Sequence, residues 1–318
     1  MKTLTLYSGL MHHLEEFCSS RNYTIEYEYD SSANNFSIKE AEEFIEKEKF
    51  SLKPRDYQIE AFVNAVRYDR QMFLSPTASG KSFIIYMIMR WYLKPTLIIV
   101  PTVSLVHQMY SDFEEYGFKA EKYIHKIFGG QDKDTDKPIV ITTWQSIYKL
   151  PKSWYEQFDV VIGDEAHLFK AKSLTSIMTK LVDCQYRFGF TGTVDDAQCH
   201  QYVLEGLFGP LNRVATTKDL MDADYLADFR IKVLSLSYSD EERKLVAPMT
   251  YQDEMKFLVN HEGRNRFLTN LSLSLEGNTL LLFQYVDTHG KVLYNSIKEQ
   301  AGDRKVFFIH GGVKGDER

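Results

Sequence analysis

Gln71-Met72-Phe73-Leu74-Ser75-Pro76-Thr77-Ala78-Ser79-Gly80-Lys81-Ser82-Phe83 decides how this chain is read. A short apolar strand, Gln71 to Leu74, runs into a turn ending in Gly-Lys-Ser, and an apolar helix, Phe83 to Arg90, follows at once. That context is a phosphate-binding loop, in which backbone N–H groups and a helix N-terminus offer partial positive charge to an anion. On this reading Thr77, Ala78, Ser79, Gly80, Lys81 and Ser82 cradle a nucleotide. Lys81 reaches the β- and γ-phosphates, and the Ser82 hydroxyl ligates Mg²⁺. The strict pattern has Gly where Ser75 stands, and a Gly-Lys-Ser turn also arises by chance as a helix cap, so the neighbouring elements must carry the decision.

They do so by repetition. From Leu52 to about Ala215 apolar runs recur, each followed by a helical stretch: Gln71 to Leu74, Thr96 to Val100, Ile139 to Thr142, Val160 to Ile162 and Arg187 to Thr191. Continuous rather than alternating apolar runs suit strands covered on both faces, as in a parallel sheet. The fold class expected is α/β, a doubly wound parallel sheet of the P-loop NTPase kind, whose ligands bind at the carboxyl ends of the strands.

Two more clusters lie at such strand ends. Asp164-Glu165-Ala166-His167 follows Val160 to Ile162. Adjacent acids there suit ATP hydrolysis, Asp164 holding Mg²⁺, partly through water, and Glu165 acting as general base on the attacking water. The plainer reading is an acidic helix N-terminus favoured by the helix dipole. Thr191-Gly192-Thr193 follows the strand ending Phe188-Gly189-Phe190, and its hydroxyls are placed to reach a neighbouring acidic cluster. An ordinary strand-end turn is the reading without the other motifs.

With 318 residues the chain has room for about two domains. Its net charge of −6 removes any bulk attraction to polyanions, so nucleic acid would have to be held by a local basic groove and backbone amides. Cys18, Cys184 and Cys199 show neither CxxC spacing nor a companion His cluster, which argues against a zinc site or disulfide framework. The apolar run Phe83 to Met89 is stopped by Arg90, far short of the ~20 residues of a membrane span. The start lacks a signal-peptide pattern. The expectation is a soluble, cytoplasmic protein, in the host cytoplasm if phage-encoded, with no membrane partner.

Residues 1–50 are expected to form a small α+β appendage serving substrate recognition. It comprises a strand at Thr3 to Tyr7, a helix at Leu10 to Ser20, a strand at Tyr23 to Tyr29, and a helix capped by Ser37 with Glu40. Residues 51–215 are the ATP-binding lobe and 216–275 a connector. Residues 276–318 begin a second α/β lobe, with strands at Thr279 to Phe283 and Lys305 to Ile309 flanking a helix at Gly290 to Gln300. Two strands leave apolar faces uncovered, so this lobe is expected to be unfinished and the chain a fragment.

Gln58 in Pro54-Arg55-Asp56-Tyr57-Gln58, the loop Thr77 to Ser82, Val100-Pro101-Thr102, Thr142-Thr143-Trp144-Gln145, Asp164 to His167 and Thr191 to Thr193 stand in the order of the superfamily-two helicases. Within these the chain most resembles the phage UvsW-like recombination helicases, over most of residues 10–318. The resemblance implies RecA-like lobes and ATP as nucleotide, with Gln58 reading the adenine edge. His167, Thr191, Gly192 and Thr193 would couple the nucleotide site to the other lobe. Pro101, Thr102, Gly129, Gly130, Thr143, Trp144 and Gln145 would line a nucleic-acid track, where small residues let backbone amides approach phosphates. Trp144 fits core packing better than base stacking.

Motors of this kind complete the site with arginines late in the second lobe. The chain reaches Arg318 before that region. Gly263-Arg264-Asn265-Arg266 lies too early for that role and reads as a solvated helix face.

The function expected is an ATP-dependent helicase or translocase on branched or duplex DNA, in recombination, replication or repair. An RNA helicase remains open, because backbone contacts do not read the 2′-OH. So does a nucleotide- and DNA-binding module without efficient hydrolysis.

Overall fold

The computed structural model describes residues 5–27, 34–193, 197–227 and 230–311. They fall into two units, Met1–Asp228 and Phe229–Arg318. In the first, seven strands form one sheet in the order β3-β4-β2-β5-β6-β1-β7. These are β1 (Arg70–Leu74), β2 (Thr96–Val100), β3 (Ile124–Ile127), β4 (Ile139–Thr143), β5 (Val160–Asp164), β6 (Tyr186–Thr191) and β7 (Leu211–Arg213). All their pairings are parallel, so every carboxyl end lies on one edge. The register Leu74↔Thr191 and Asp164↔Phe190 brings the ends of β1, β6 and β5 side by side.

Helices cover both faces, as parallel strands require. On one face α3 (Asp56–Tyr68), α4 (Lys81–Tyr92) and α5 (Val103–Glu115) close an aromatic core that includes Phe62, Phe73, Tyr86, Phe113 and Phe190. On the other, helices Lys172–Lys180 and Gln198–Phe208 pack Ile177, Met178 and Phe208 onto Met72, Leu97, Ile99 and Val161. The five strands legible in the sequence all form. Edge strands β3 and β7 were not anticipated: β3 carries half-exposed His125 and Lys126, and β7 has three residues, so neither gives an apolar run.

The appendage differs from expectation. Helices α1 (Met11–Ser20) and α2 (Ile38–Glu48) form, and Ser37 and Glu40 make the anticipated capping box. No strand forms among its described residues. Residues 5–7 and 23–27 are irregular, and the rest of both expected strands lies outside the described residues. Leu6, Tyr7, Tyr23 and Tyr27 are exposed, so no buried face rewards a ladder there.

In the second unit helices Tyr251–Asn260, Glu262–Ser274 and Lys291–Gln300 form. The strands expected at 279–283 and 305–309 do not: neither segment takes up regular secondary structure. They are held through side chains instead, with Phe283 stacked on Phe308 at 5.2 Å and Arg304 donating to the carbonyls of Leu275 and Gly277. Leu280, Leu282, Phe307 and Ile309 remain exposed, the uncovered apolar face anticipated for so small a lobe. Arg264 is half-buried, donating to Leu258 O, while Arg266 is exposed; the solvated-face reading holds for Arg266 alone.

Candidate active site

The loop between β1 and α4 is built by a few strong anchors. Ser75 N–H donates to Thr191 O at 2.8 Å, tying the loop's start to the end of β6. Ser75 Oγ and Ser79 Oγ lie 2.6 Å apart in the interior, and Ser79 Oγ donates to Pro76 O. Ala78 (φ 64°) and Gly80 (φ 78°) are both left-handed. Such alternation turns successive N–H groups to one side, making an anion-binding concavity at the start of a twelve-residue helix. Only glycine fits position 80: an added Cβ would lie 2.3 Å from Gln58 Nε2.

Gln58 is buried in α3 and spends both ends of its amide on backbone. Its Oε1 accepts from Arg55 N–H at 2.9 Å, and its Nε2 donates to Ser79 O at 2.9 Å. Tyr57 OH donates to the same carbonyl at 2.9 Å. Arg55 donates to Tyr57 OH and lies 4.0 Å over the ring of Tyr225. Gln58 therefore braces the loop between β1 and α4. Arg55 and Tyr57 were quoted in the sequence only as its neighbours, and nothing in the sequence marked Tyr225.

At the end of β5, Asp164 is buried and its Oδ1 has no hydrogen-bond partner. Burial pushes its carboxyl above the usual aspartate range, while the Lys81 ammonium pulls the other way. Glu165 is left-handed (φ 51°), which turns its carboxylate between two neighbours. Oε1 lies 3.4 Å from Lys81 Nζ and Oε2 lies 3.3 Å from His167 Nδ1.

His167 Nδ1 also lies 2.9 Å from Thr191 Oγ1, which itself donates to Thr193 O at 2.8 Å. With that hydroxyl proton committed, Thr191 accepts, so the network assigns the ring proton to Nδ1. A Cβ added at Gly192 would lie 3.9 Å from Lys81 Nζ and from Thr77 N. The three clusters picked out in the sequence thus form one connected group.

Ser82 is oriented differently from a ready metal ligand. Its Oγ lies 2.8 Å from Tyr116 OH and also bonds the Asp112 carboxyl. Burial raises both Asp112 and Tyr116 above their ordinary values, and the bond to Ser82 lowers each in part. No motif flagged this contact, because it joins α4 to the end of α5 across 34 residues of sequence.

The remaining predicted residues lie along the carboxyl ends of β3, β4 and β2. Gly129 and Gly130 are exposed, with open space where a Cβ would stand, and Gly130 needs its φ of 85°. Thr102 is exposed and caps α5 through Leu105 N–H. Pro101 is half-buried and Gln145 exposed. Thr143 is buried, its hydroxyl 2.9 Å from Ser146 Oγ. Trp144 is half-buried against the second core cluster and edge-on to Tyr148, in line with core packing. The sheet edge is divided: β5-β6-β1 carries the Lys81 group, and β3-β4-β2 carries the exposed small residues.

Residues 51–196 match the protein family described as "Type III restriction enzyme, res subunit". The chain is 32% identical over 327 residues to the ATP-dependent DNA helicase uvsW of Enterobacteria phage T4, across 98% of this chain and 64% of that protein. It is 32% identical over 200 residues to the DNA 3'-5' translocase XPB2 of Sulfurisphaera tokodaii, across 62% of this chain and 43% of that protein. A crystal structure of the UvsW helicase from Bacteriophage T4 superposes with a TM-score of 0.58 at 34% identity, covering 64% of this chain and 78% of that one. A second T4 UvsW crystal structure gives 0.60 at 30%, covering 98% and 64%. The chain therefore spans 64% of the length of the phage helicase it matches.

Proposed function

This chain belongs to the superfamily-two helicases, beside phage UvsW, and on that premise we propose that it is the ATP-hydrolysing part of a DNA translocase acting on branched or duplex DNA. The observation that carries this reading is the unbroken contact from Lys81 through Glu165 and His167 to Thr191. A phosphate site and a strand-end switch are thereby wired together on one sheet edge.

Each residue then has a physical task. The N–H groups of the loop from Thr77 to Ser82 hold the phosphates, and Lys81 exchanges its contact with Glu165 for one with phosphate oxygen. Asp164 fits Mg²⁺, because its buried Oδ1 has no protein donor and a cation supplies the missing partner. A Mg²⁺ ion held there would supply charge neutralisation to the phosphates. Glu165, once released by Lys81, is free to take the proton of the attacking water. Ser82, whose hydroxyl is held by Tyr116 here, would be the second residue to hold that ion. His167 carries the change in Glu165 to Thr191 and Thr193. Gln58 and Tyr57 keep the loop in shape, and an adenine edge would meet what remains of Gln58's amide.

We assign residues 51–215 to the ATP-binding lobe, 1–50 to a substrate-recognition appendage, 216–275 to a connector and 276–318 to the entry of a second RecA-like lobe. Pro101, Thr102, Gly129, Gly130 and Gln145, with the backbone of Thr143 and Trp144, form the track for a DNA phosphate backbone. The exposure of Thr102, Gly129, Gly130 and Gln145 and the open space at the two glycines support this, and such contacts carry no base identity.

The test is ATP turnover by the chain alone and with a four-way DNA junction, duplex DNA or duplex RNA. Stimulation by DNA, greatest with the junction, and its loss in Lys81→Ala are expected. Stimulation by RNA only would replace the substrate with RNA. Turnover indifferent to every nucleic acid, or intact in Lys81→Ala, would overturn the motor reading.

A further inference from the structure

Helix α1 opens with two histidines whose rings turn toward one carboxylate on a distant helix. His13 Nε2 lies 2.7 Å and His12 Nε2 3.4 Å from Glu205 Oε2. The two imidazole centroids are 4.0 Å apart. One ligand atom from each of the three side chains lies within 4.8 Å of the others.

The meeting is built by close packing of backbone. A Cβ at Gly9 would fall 2.0 Å from Glu205 O, and one at Gly206 would fall 3.1 Å from Tyr7 Cβ. Gly9 is what lets this segment lie so near to helix Gln198–Phe208, and the contact at Gly206 is tight. Tyr202, almost one turn before Glu205, meets His13 edge-on at 5.0 Å. The Glu205 side chain is 13% exposed, so its charge is largely removed from water.

A single hydrogen bond from His13 accounts for part of this arrangement. It leaves His12 unexplained: its Nε2 points to the same oxygen, and its Nδ1 is buried with no partner. Two imidazole nitrogens and one carboxylate oxygen converging on a common point are a donor set for a borderline-soft divalent ion. Mg²⁺, which prefers oxygens, is poorly served by it. Glu16 Oε2, 4.0 Å from His13 Nδ1, stands where an outer carboxylate orients a ligating imidazole.

We propose that His12, His13 and Glu205 form a Zn²⁺ site that staples α1 to helix Gln198–Phe208. Three protein ligands leave a fourth tetrahedral position to water, which reaches it because both histidine side chains are about a third exposed. No member of the set belongs to the Lys81–Glu165–His167 group, so the site stands apart from ATP chemistry.

The experiment is calorimetric titration of Zn²⁺ into the chelator-stripped full chain, with Co²⁺ absorption as a readout of ligand type. One equivalent should bind and raise the melting temperature. His12→Ala, His13→Ala and Glu205→Gln should each weaken binding by at least about tenfold and abolish the thermal shift. Asp164→Asn should bind Zn²⁺ as the parent does. Absence of stoichiometric uptake, uptake that survives all three substitutions, or uptake that disappears in Asp164→Asn would each overturn the proposal. His12 and His13 are partly exposed, so at least those variants report on a folded chain.

Discussion

Asp164 carries an acid into the sheet with one oxygen unpaired, and on the proposed reading that single residue sets stability against activity. Burial is the largest influence on its carboxyl and raises it; Lys81 offsets part of this. A raised acid binds its proton more tightly when folded than when unfolded. Its contribution therefore favours folding below the ordinary aspartate range and is lost as pH rises through the folded value. Ionised in the interior with one oxygen unpaired, the carboxylate is a cost to folding. Asp164→Asn keeps the shape and removes the charge, so the nucleotide-free chain should melt about 2–4 °C higher at neutral pH. That gain should shrink toward about pH 4, while ATP turnover is lost. Melting curves across this range check it, and a variant that melts lower at neutral pH would refute the account. The acid pair itself was legible because it ends an apolar run. The bond from Ser82 to Tyr116 was not, since a side-chain rotamer reaching across 34 residues leaves no pattern in sequence.

Among the elements, β5 and β6 show how the sheet makes room for its second face. Gly163 and Gly189 are paired in register, and the edge-to-face rings of Phe169 and Phe208 fill the trough they leave. An added Cβ at Gly189 would lie 2.9 Å from Phe208 Cγ, and one at Gly163 would lie 2.7 Å from Phe169 Cζ. Both rings are fully buried and have no free direction in which to yield. Gly189→Ala should therefore destabilise the first unit by about 1–3 kcal/mol through overpacking. A urea denaturation midpoint that is unchanged or higher would mean that the lost backbone freedom of glycine outweighs the clash. The five inner strands could be read from sequence because burial on both faces writes an unbroken apolar run. β3 and β7 could not, because an edge strand is half wet and tolerates His125, Lys126 or Asn212. Residues 279–283 and 305–309 show the converse. Their apolar runs are genuine, yet a run specifies a strand only where partners exist to pair its backbone.

At the scale of the whole molecule, the two units hold very different amounts of core. The first encloses two large aromatic and aliphatic clusters. In the second, Val259 and Leu293 are the buried large hydrophobics among the described residues, whereas Leu280, Leu282 and Phe307 are each more than three-quarters exposed. At roughly 25 cal/mol per Å² of apolar surface removed from water, so few buried side chains offset little of the entropy of ordering some 80 residues. Cooperative unfolding as one body is therefore not expected. Calorimetry should resolve a weak early transition from the second unit and a later one from the first. Mg²⁺-ATP, engaging Lys81 and Asp164, should raise the later transition and leave the early one in place. Amide exchange should follow the same division, fast over residues 279–309 and slow in β2, β5 and β6. A single transition that moves as a whole with nucleotide would show that the second unit draws its stability from the first, and that ATP binding is felt across both.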